Sequence, residues 1–199
     1  MKKILPFIFS LFTLNAFSQI DKGNTLLGGS FGFGTQQNVP NISSNANSNL
    51  QPFIQFGYKP NRTIGFGLDL NYTSNKSDDN NSKSDQFSIA PSVNFTQYHP
   101  LKGNFGWFLQ EFAGMGFYST KSHNGSTTVK AKSTSVFAGL TPGIYYAAGE
   151  KKNWLLTANV GSLGASYLKQ SNADYETWSV NTSLFQSYRF GFAYIFRKA

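Results

Sequence analysis

Residues 63–73 read TIGFGLDLNYT, and this stretch decides the fold. Ile64, Phe66, Leu68, Leu70 and Tyr72 hold alternate positions, while Thr63, Gly65, Gly67, Asp69, Asn71 and Thr73 fill those between. Side chains of an extended chain point alternately to opposite faces, so this period of two makes one bulky apolar face and one small, polar face. The C-terminal stretch repeats it: Leu184, Tyr188, Phe190, Phe192, Tyr194 and Phe196 oppose Asn181, Ser183, Ser187, Arg189, Gly191 and Ala193. Helical spacing at i, i+3, i+4 and i+7 is not sustained anywhere, so the chain is expected to be all-β.

Six further segments fit the same reading: 25–35, 50–58, 86–98, 105–118, 135–146 and 154–168, for eight strands altogether. The fifth (FGWFLQEFAGMGFY) and the seventh (WLLTANVGSLGASY) lose phase midway, as β-bulges or glycine kinks in a curved sheet would make them do. The connections alternate in length. Long polar stretches (36–49, SNKSDDNNSKSD, KSHNGSTTVKAKS, KQSNADYET) alternate with the compact turns KPNR, HPLKGN and AAGEKKN. An up-and-down antiparallel barrel with eight strands puts the long loops at one end and the short turns at the other, as transmembrane barrels do.

An eight-stranded barrel has a narrow, filled interior. The face carrying Gly28, Ser30, Gly32, Gly65, Gly67, Ser88, Ser92, Asn94 and Thr96 therefore belongs inside, and the Phe, Tyr, Leu, Ile and Val face outside. An exterior that apolar is suited to lipid rather than to water. The aromatics sort to the strand ends: Tyr58, Tyr98, Trp107, Tyr146, Trp154 and Tyr194 near the short turns, Tyr72, Tyr118, Tyr167, Tyr175 and Trp178 near the long loops. They are expected to form two interfacial belts; the eleven steps from Trp107 to Tyr118 rise about 26 Å at ~45° tilt, near the ~25 Å apolar band of such barrels. Asp69, Glu111 and Arg189 fall at matching depths and are expected to turn inward as an ionic plug of the lumen, because a charge facing lipid at mid-depth is costly.

Met1 to Gln19 (MKKILPFIFSLFTLNAFSQ) has a basic start, an apolar run and a small-x-small site at Ala16-Phe17-Ser18. Residues 1–18 are read as a removable secretory signal and 19–199 as the barrel domain. With no cysteine among 199 residues, thiol chemistry and disulfides are excluded. The formal charge of +8 does not point to nucleic acid, since Lys59, Arg62, Lys102, Lys151, Lys152 and Lys198 scatter over short connections and the terminus.

Residues 189–196, RFGFAYIF, resemble the C-terminal β-signal of bacterial outer-membrane proteins: polar Arg189, then Gly191, then aromatic Tyr194 and Phe196 separated by one residue. The tail Arg197 to Ala199 departs from that pattern, which usually ends at the aromatic. With the strands at Pro91-x-Val93-x-Phe95 and Pro142-Gly143-Ile144-x-Tyr146, the region after the leader is similar to small eight-stranded outer-membrane β-barrels of the porin-family, OmpA/OmpX-like type. The resemblance implies a Gram-negative outer membrane, contact with its lipids and lipopolysaccharide, assembly by the barrel-assembly machinery, and a monomer. It leaves the activity open, because such barrels include inert anchors, adhesins, solute passages and some lipid-modifying enzymes.

Chemistry-bearing residues are sparse. His99 and His123 lack metal-ligand spacing, so no metal or cofactor is expected. His123, near Ser122, Ser126 and Thr127 with Asp174 or Glu176 to orient it, could form a hydrolase at the rim; a solvated loop histidine is the simpler reading. Gly28-Gly29-Ser30-Phe31-Gly32 lies within a strand and is no phosphate loop. Asp78, Asp79 and Asp85 make an acidic loop cluster that a divalent cation could use. The leading expectation is a non-enzymatic outer-membrane barrel with a filled polar lumen and loops that contact the surroundings. A rim-located lipid-A-modifying hydrolase and a soluble lipocalin-like binder remain as alternatives.

Overall fold

The structure is a computed structural model, described for residues 20–38, 43–77, 82–101, 103–124, 127–171, 176–182 and 189–198. These residues form β1 (Thr25–Asn38), β2 (Ser43–Lys59), β3 (Arg62–Ser77), β4 (Ser82–Pro100), β5 (Phe105–Asn124), β6 (Thr127–Ala148), β7 (Trp154–Asn159), β8 (Leu163–Gln170), β9 (Glu176–Thr182) and β10 (Arg189–Phe196). Each of β1 to β6 pairs antiparallel with the next, β6 pairs with β7, β7 with β10, and β10 with β1. This closes a ring of eight with no free edge in the half that carries the short turns. β8 extends β7 upward beside β6, and β9 pairs with β8. The eight strands expected from the sequence are therefore present; the seventh is in two pieces, β7 and β8, and residues 183–188 of the expected eighth lie outside the described residues. Residues 1–19, which hold the expected leader, lie outside the described residues.

The short turns use residues that tolerate a left-handed backbone. Asn61, with φ 56°, turns β2 into β3, and Gly103 (φ 79°) and Gly149 (φ 86°) serve the next two turns at this end. At the other end the strands run further than the sequence pattern suggests: β2 starts at Ser43 rather than Leu50, β5 continues to Asn124 rather than Tyr118, and β6 starts at Thr127 rather than Ser135. Polar arms wet on both faces show no hydrophobic alternation, yet each neighbouring arm completes the other's backbone hydrogen bonds.

The seventh strand does lose phase. Three steps on β6, from Gly143 to Leu140, face four on the opposing chain, from Asn159 to Leu163, so the break at 160–162 is a one-residue bulge. Gly161 takes φ 110° there, and the inward set changes from Leu155, Thr157 and Asn159 to Gly164, Ser166 and Leu168. The fifth strand, by contrast, keeps phase. β5 pairs with β6 without interruption from Phe105↔Tyr146 to Asn124↔Thr127, and its even-numbered residues face inward throughout. The apparent slip arises because Phe108 and Phe112 point into the barrel, where facing glycines make room for them. A Cβ at Gly139 would stand 2.7 Å from the Phe112 ring, and one at Gly143 would collide with Phe108.

That parity corrects three expected placements. Glu111 shares the outward face with Phe95, Ala113 and Leu140, not the lumen, and its nearest polar partner is the outward Gln97 at 3.5 Å. Tyr98 is buried in the barrel interior, and Tyr118 faces the lumen as well, so neither joins a belt. Eleven steps along a strand join opposite faces; the outward mate of Trp107 is Phe117, about 23 Å higher at ~45° tilt.

Candidate functional site

The interior is built in layers from the short-turn end upward. Its floor is apolar: Leu26, Leu155, Ala193 and Ile195 are essentially inaccessible and pack with Ile20, Tyr98, Phe108 and Tyr145. These are inward positions of β1, β4, β5, β6, β7 and β10, together with Ile20 before the first strand, so the floor draws on nearly the whole ring. Tyr98 and Tyr145 meet edge to face with centroids 5.5 Å apart, and Phe108 lies 5.9 Å from Tyr98.

A polar layer centred on Gln55 lies against this floor. The Tyr98 hydroxyl and Thr63 Oγ1 both donate to Gln55 Oε1, at 3.1 and 3.0 Å, and Gln55 Nε2 donates to Thr96 Oγ1 at 3.3 Å. Gln55, Thr63 and Thr96 are all buried, so these bonds satisfy groups that water does not reach.

Arg189 and Asp69 form the next layer. Arg189 Nη2 donates to Asp69 Oδ2 at 3.3 Å, and Nη1 donates to Gln51 Oε1 at 2.5 Å. The pair links β10 to β3 through the lumen, with Gln51 of β2 between them and Ser30 of β1 donating to Gln51 at 3.4 Å. Of the three residues expected in the plug, the structure brings together Asp69 and Arg189 and leaves Glu111 outside. Gln51 completes the cluster; its inward parity on β2 is its one sequence signal. A cavity of about 310 Å³ sits at and above this level, lined by polar Asn49, Asn71, Ser88 and Gln110 and by the Phe112 and Tyr118 rings.

On the exterior, aromatic rings meet one another near both ends of the strands. Near the short turns, Trp154 meets Tyr194 at 5.0 Å, Tyr194 meets Phe196 at 4.8 Å, Tyr146 meets Phe105 at 4.7 Å and Tyr58 meets Phe95 at 5.8 Å. Trp107 stacks on His99 at 3.9 Å, which gives that histidine a packing role. Toward the long loops, Tyr167 packs on Trp178 at 4.9 Å, and Tyr72 is exposed. Between these two ends lie exposed Leu27, Ile64, Phe66, Leu68, Val93, Val136, Leu156 and Phe192, apolar side chains on β1, β3, β4, β6, β7 and β10.

The remaining candidates separate. His123 Nδ1 lies 3.0 Å from Thr128 Oγ1, whereas Ser122 faces the opposite side and bonds Ser84. Glu176 is engaged by Lys169 at 2.8 Å, which holds its carboxyl below the usual range. Asp174 and Ser126 lie outside the described residues, as do Asp78 and Asp79. Asp85 is held by Lys83 at 2.9 Å. Gly191 faces inward, where a Cβ would stand 2.6 Å from Thr157 Oγ1. The tail after Phe196 is fastened: Arg197 donates to Asn153 Oδ1 and to the Lys151 carbonyl, each at 3.0 Å.

The outward parity of the extended arms also brings together lysines from the segments expected to be loops. Lys76 faces Lys83 across β3–β4, and Lys121 faces Lys130 across β5–β6, with Lys132 next along the same face and Lys169 on β8. Lys121 and His123 share one parity and Lys130 and Lys132 the other, and only the β5–β6 register puts them on one face.

No family model matches the sequence, and no curated protein matches it. Among solved structures the chain is similar to Neisserial surface protein A, at 13% identity over 88% of this chain and 98% of that one, with a TM-score of 0.46. It is also similar to a major outer membrane protein from Thermus thermophilus, at 10% identity over 87% and 99%, with a TM-score of 0.49. A third similarity is to the β domain of the Bordetella autotransporter BrkA, at 13% identity over 88% and 100%, with a TM-score of 0.36. The architecture stands on the closed ring of strand pairs itself.

Proposed function

We propose that this chain is an integral protein of a Gram-negative outer membrane: a non-enzymatic barrel, sealed at its short-turn end, that holds a polar vestibule and tall polar arms toward the outside. The observation that carries this reading is the combination of an apolar exterior with an apolar floor. The exterior suits a protein that stays in lipid, and the floor suits one that does not conduct. On this reading Arg189, Asp69 and Gln51 brace the lumen, and β10, with Gly191, Tyr194 and Phe196, serves assembly by closing on β1.

The test is made on the purified full chain. It should remain with membranes through salt washing, run at different positions on SDS gels before and after boiling, and give no steady single-channel current in planar bilayers. Release by osmotic shock with identical mobility in both gel lanes would overturn the membrane reading. Stable channels from the monomer would overturn the sealed lumen.

A further inference from the structure

We propose that the cavity above Arg189 is a binding site for a neutral sugar of one or two pyranose rings, held between a polar wall on β2 to β4 and an aromatic wall on β5 and β6. The inference goes beyond the outer-membrane reading, since it needs the closed ring and the packed floor rather than the lipid around them.

The lining sorts by strand. Asn49, Asp69, Asn71 and Ser88 come from β2, β3 and β4, whereas Phe112, Tyr118 and Phe137 come from β5 and β6. β2 and β6 stand four places apart in the ring of eight, so the polar and aromatic sets face each other across the lumen. The Phe112 and Phe137 rings meet with centroids 6.0 Å apart, and the Tyr118 hydroxyl is fixed by Ser135 at 3.2 Å. Ring faces so held suit the C–H side of a pyranose, whose hydroxyls then reach the polar wall opposite.

Charge narrows the ligand. Among the described residues, Asp69 and Arg189 are the charged ones that line the cavity, and they pair with each other at 3.3 Å. An ionic ligand would bear a desolvation cost and disturb that pair, whereas a neutral one does neither. Hydrogen bonding narrows it further. Asp69 Oδ2 accepts from Arg189, while Asp69 Oδ1 and Asn49 Oδ1 are buried without a partner among the described residues. Both are acceptors, so they suit a molecule that brings hydroxyl donors. At about 310 Å³ the cavity is at the small end of the range for ligand pockets, which fits one or two rings rather than a longer chain. With the floor packed beneath it, the way in is from the long-loop end.

The experiment uses the folded full chain in lauryldimethylamine oxide, a detergent without sugar, and reads binding by saturation-transfer NMR and titration calorimetry. The probes are glucose, galactose, mannose, N-acetylglucosamine, their methyl glycosides, sucrose and maltose, with choline and hexanoate as ionic competitors. Wild type should bind at least one neutral sugar and neither ion. Tyr118→Leu removes a ring, and Asp69→Asn turns an amide NH2 toward the cavity in place of an acceptor; each should weaken binding about tenfold. Glu111→Gln, on the outward face, should bind as wild type. Hexoses bound without their methyl glycosides would assign the site to free sugar, and binding of both would extend it to the end of a glycan chain. No transfer to any neutral sugar, stronger binding of choline or hexanoate, or undiminished binding by Tyr118→Leu would overturn the proposal. The boiling-dependent gel shift, run on every sample, shows which variants are folded, and if Asp69→Asn loses it Tyr118→Leu decides. A wild type that binds sugar yet is released by osmotic shock would keep this site and lose the outer-membrane reading.

Discussion

The lower and upper halves of this barrel are made by the same strands and solve opposite problems. Below Arg189 the interior is packed: Leu26, Phe108, Tyr145 and Ile195 fill it, and Thr63, Thr96 and the Tyr98 hydroxyl bond one another through Gln55. Above Arg189 the interior is a cavity lined by asparagine, serine and glutamine, and the strands continue as polar arms to Ser77, Asn124 and Gln170. The difference teaches that closure is a property of one end. The ring is fully paired where it is packed, whereas the bulge at 160–162 lies beside the cavity, where no packed layer would be broken by it.

The sharpest way to break this comparison is to remove matched aromatic rings from the two halves. Phe108→Ala takes a ring from the floor that also covers Gly143 and should cost about 3–5 kcal/mol. Tyr118→Ala removes a ring that borders an existing cavity and bonds Ser135 at 3.2 Å, and should cost about 1–2 kcal/mol. Unfolding followed by the gel shift against urea would measure both. Equal losses would mean that the floor is no more tightly built than the vestibule.

A smaller effect is expected at the boundary between the halves. Arg189→Leu strands Asp69 in the lumen and should cost about 2 kcal/mol, and adding Asp69→Leu should return part of it, because the second change removes the unpaired charge. Glu111→Leu in the same series should be neutral or stabilising by about 1 kcal/mol, since it replaces an acid on the apolar exterior. Additive losses in the first double variant would show that the two charges do not act together. A loss at Glu111 comparable to that at Arg189 would place the glutamate in the plug after all.

How much of this was legible depended on which residue types carry the signal. Where the outer face is bulky and the inner face small, as in β3 and β10, parity could be read directly from the sequence. In β5 both faces hold large apolar residues, so alternation could not be separated from a bulge; the glycines that make Phe108 and Phe112 fit inside lie on β6, some thirty residues away in the chain. The belt expectation failed at Tyr98 and Tyr118 because position along a strand was weighed without parity. In the arms, Ser, Asn and Lys read as loop because hydrophobic alternation ends where the apolar exterior and the core both end, and only register could show the lysine cluster. Asp69 and Arg189 were legible because a charge at mid-depth has few tolerable directions; Gln51 carries no such constraint.

The smallest effect belongs to the arms, at Asp85. Its carboxylate is held by Lys83 at 2.9 Å, by the Ser74 hydroxyl at 2.7 Å and by the Tyr72 hydroxyl at 2.9 Å, with the lysine hydrogen bond the largest cause, and its pKa is pulled from 3.8 to about 2. The folded value lies below the unfolded one, so the charged form favours the paired arm. That contribution is complete above the unfolded pKa and is lost as the pH falls through the interval between the two values. Because the group is half-buried on a solvated arm, the loss should loosen the β3–β4 arm locally and leave the packed floor untouched. Amide exchange at Ser74 and Lys83 should therefore quicken between about pH 4 and pH 2, beyond the intrinsic pH trend, while exchange at Thr63 and Thr96 near the floor follows that trend alone. Asp85→Asn should abolish the acid-dependent step at the arm, since the amide cannot titrate. A carboxyl resonance for Asp85 titrating near its ordinary value, or equal acid sensitivity at Thr63, would show that the two halves do not differ in this respect.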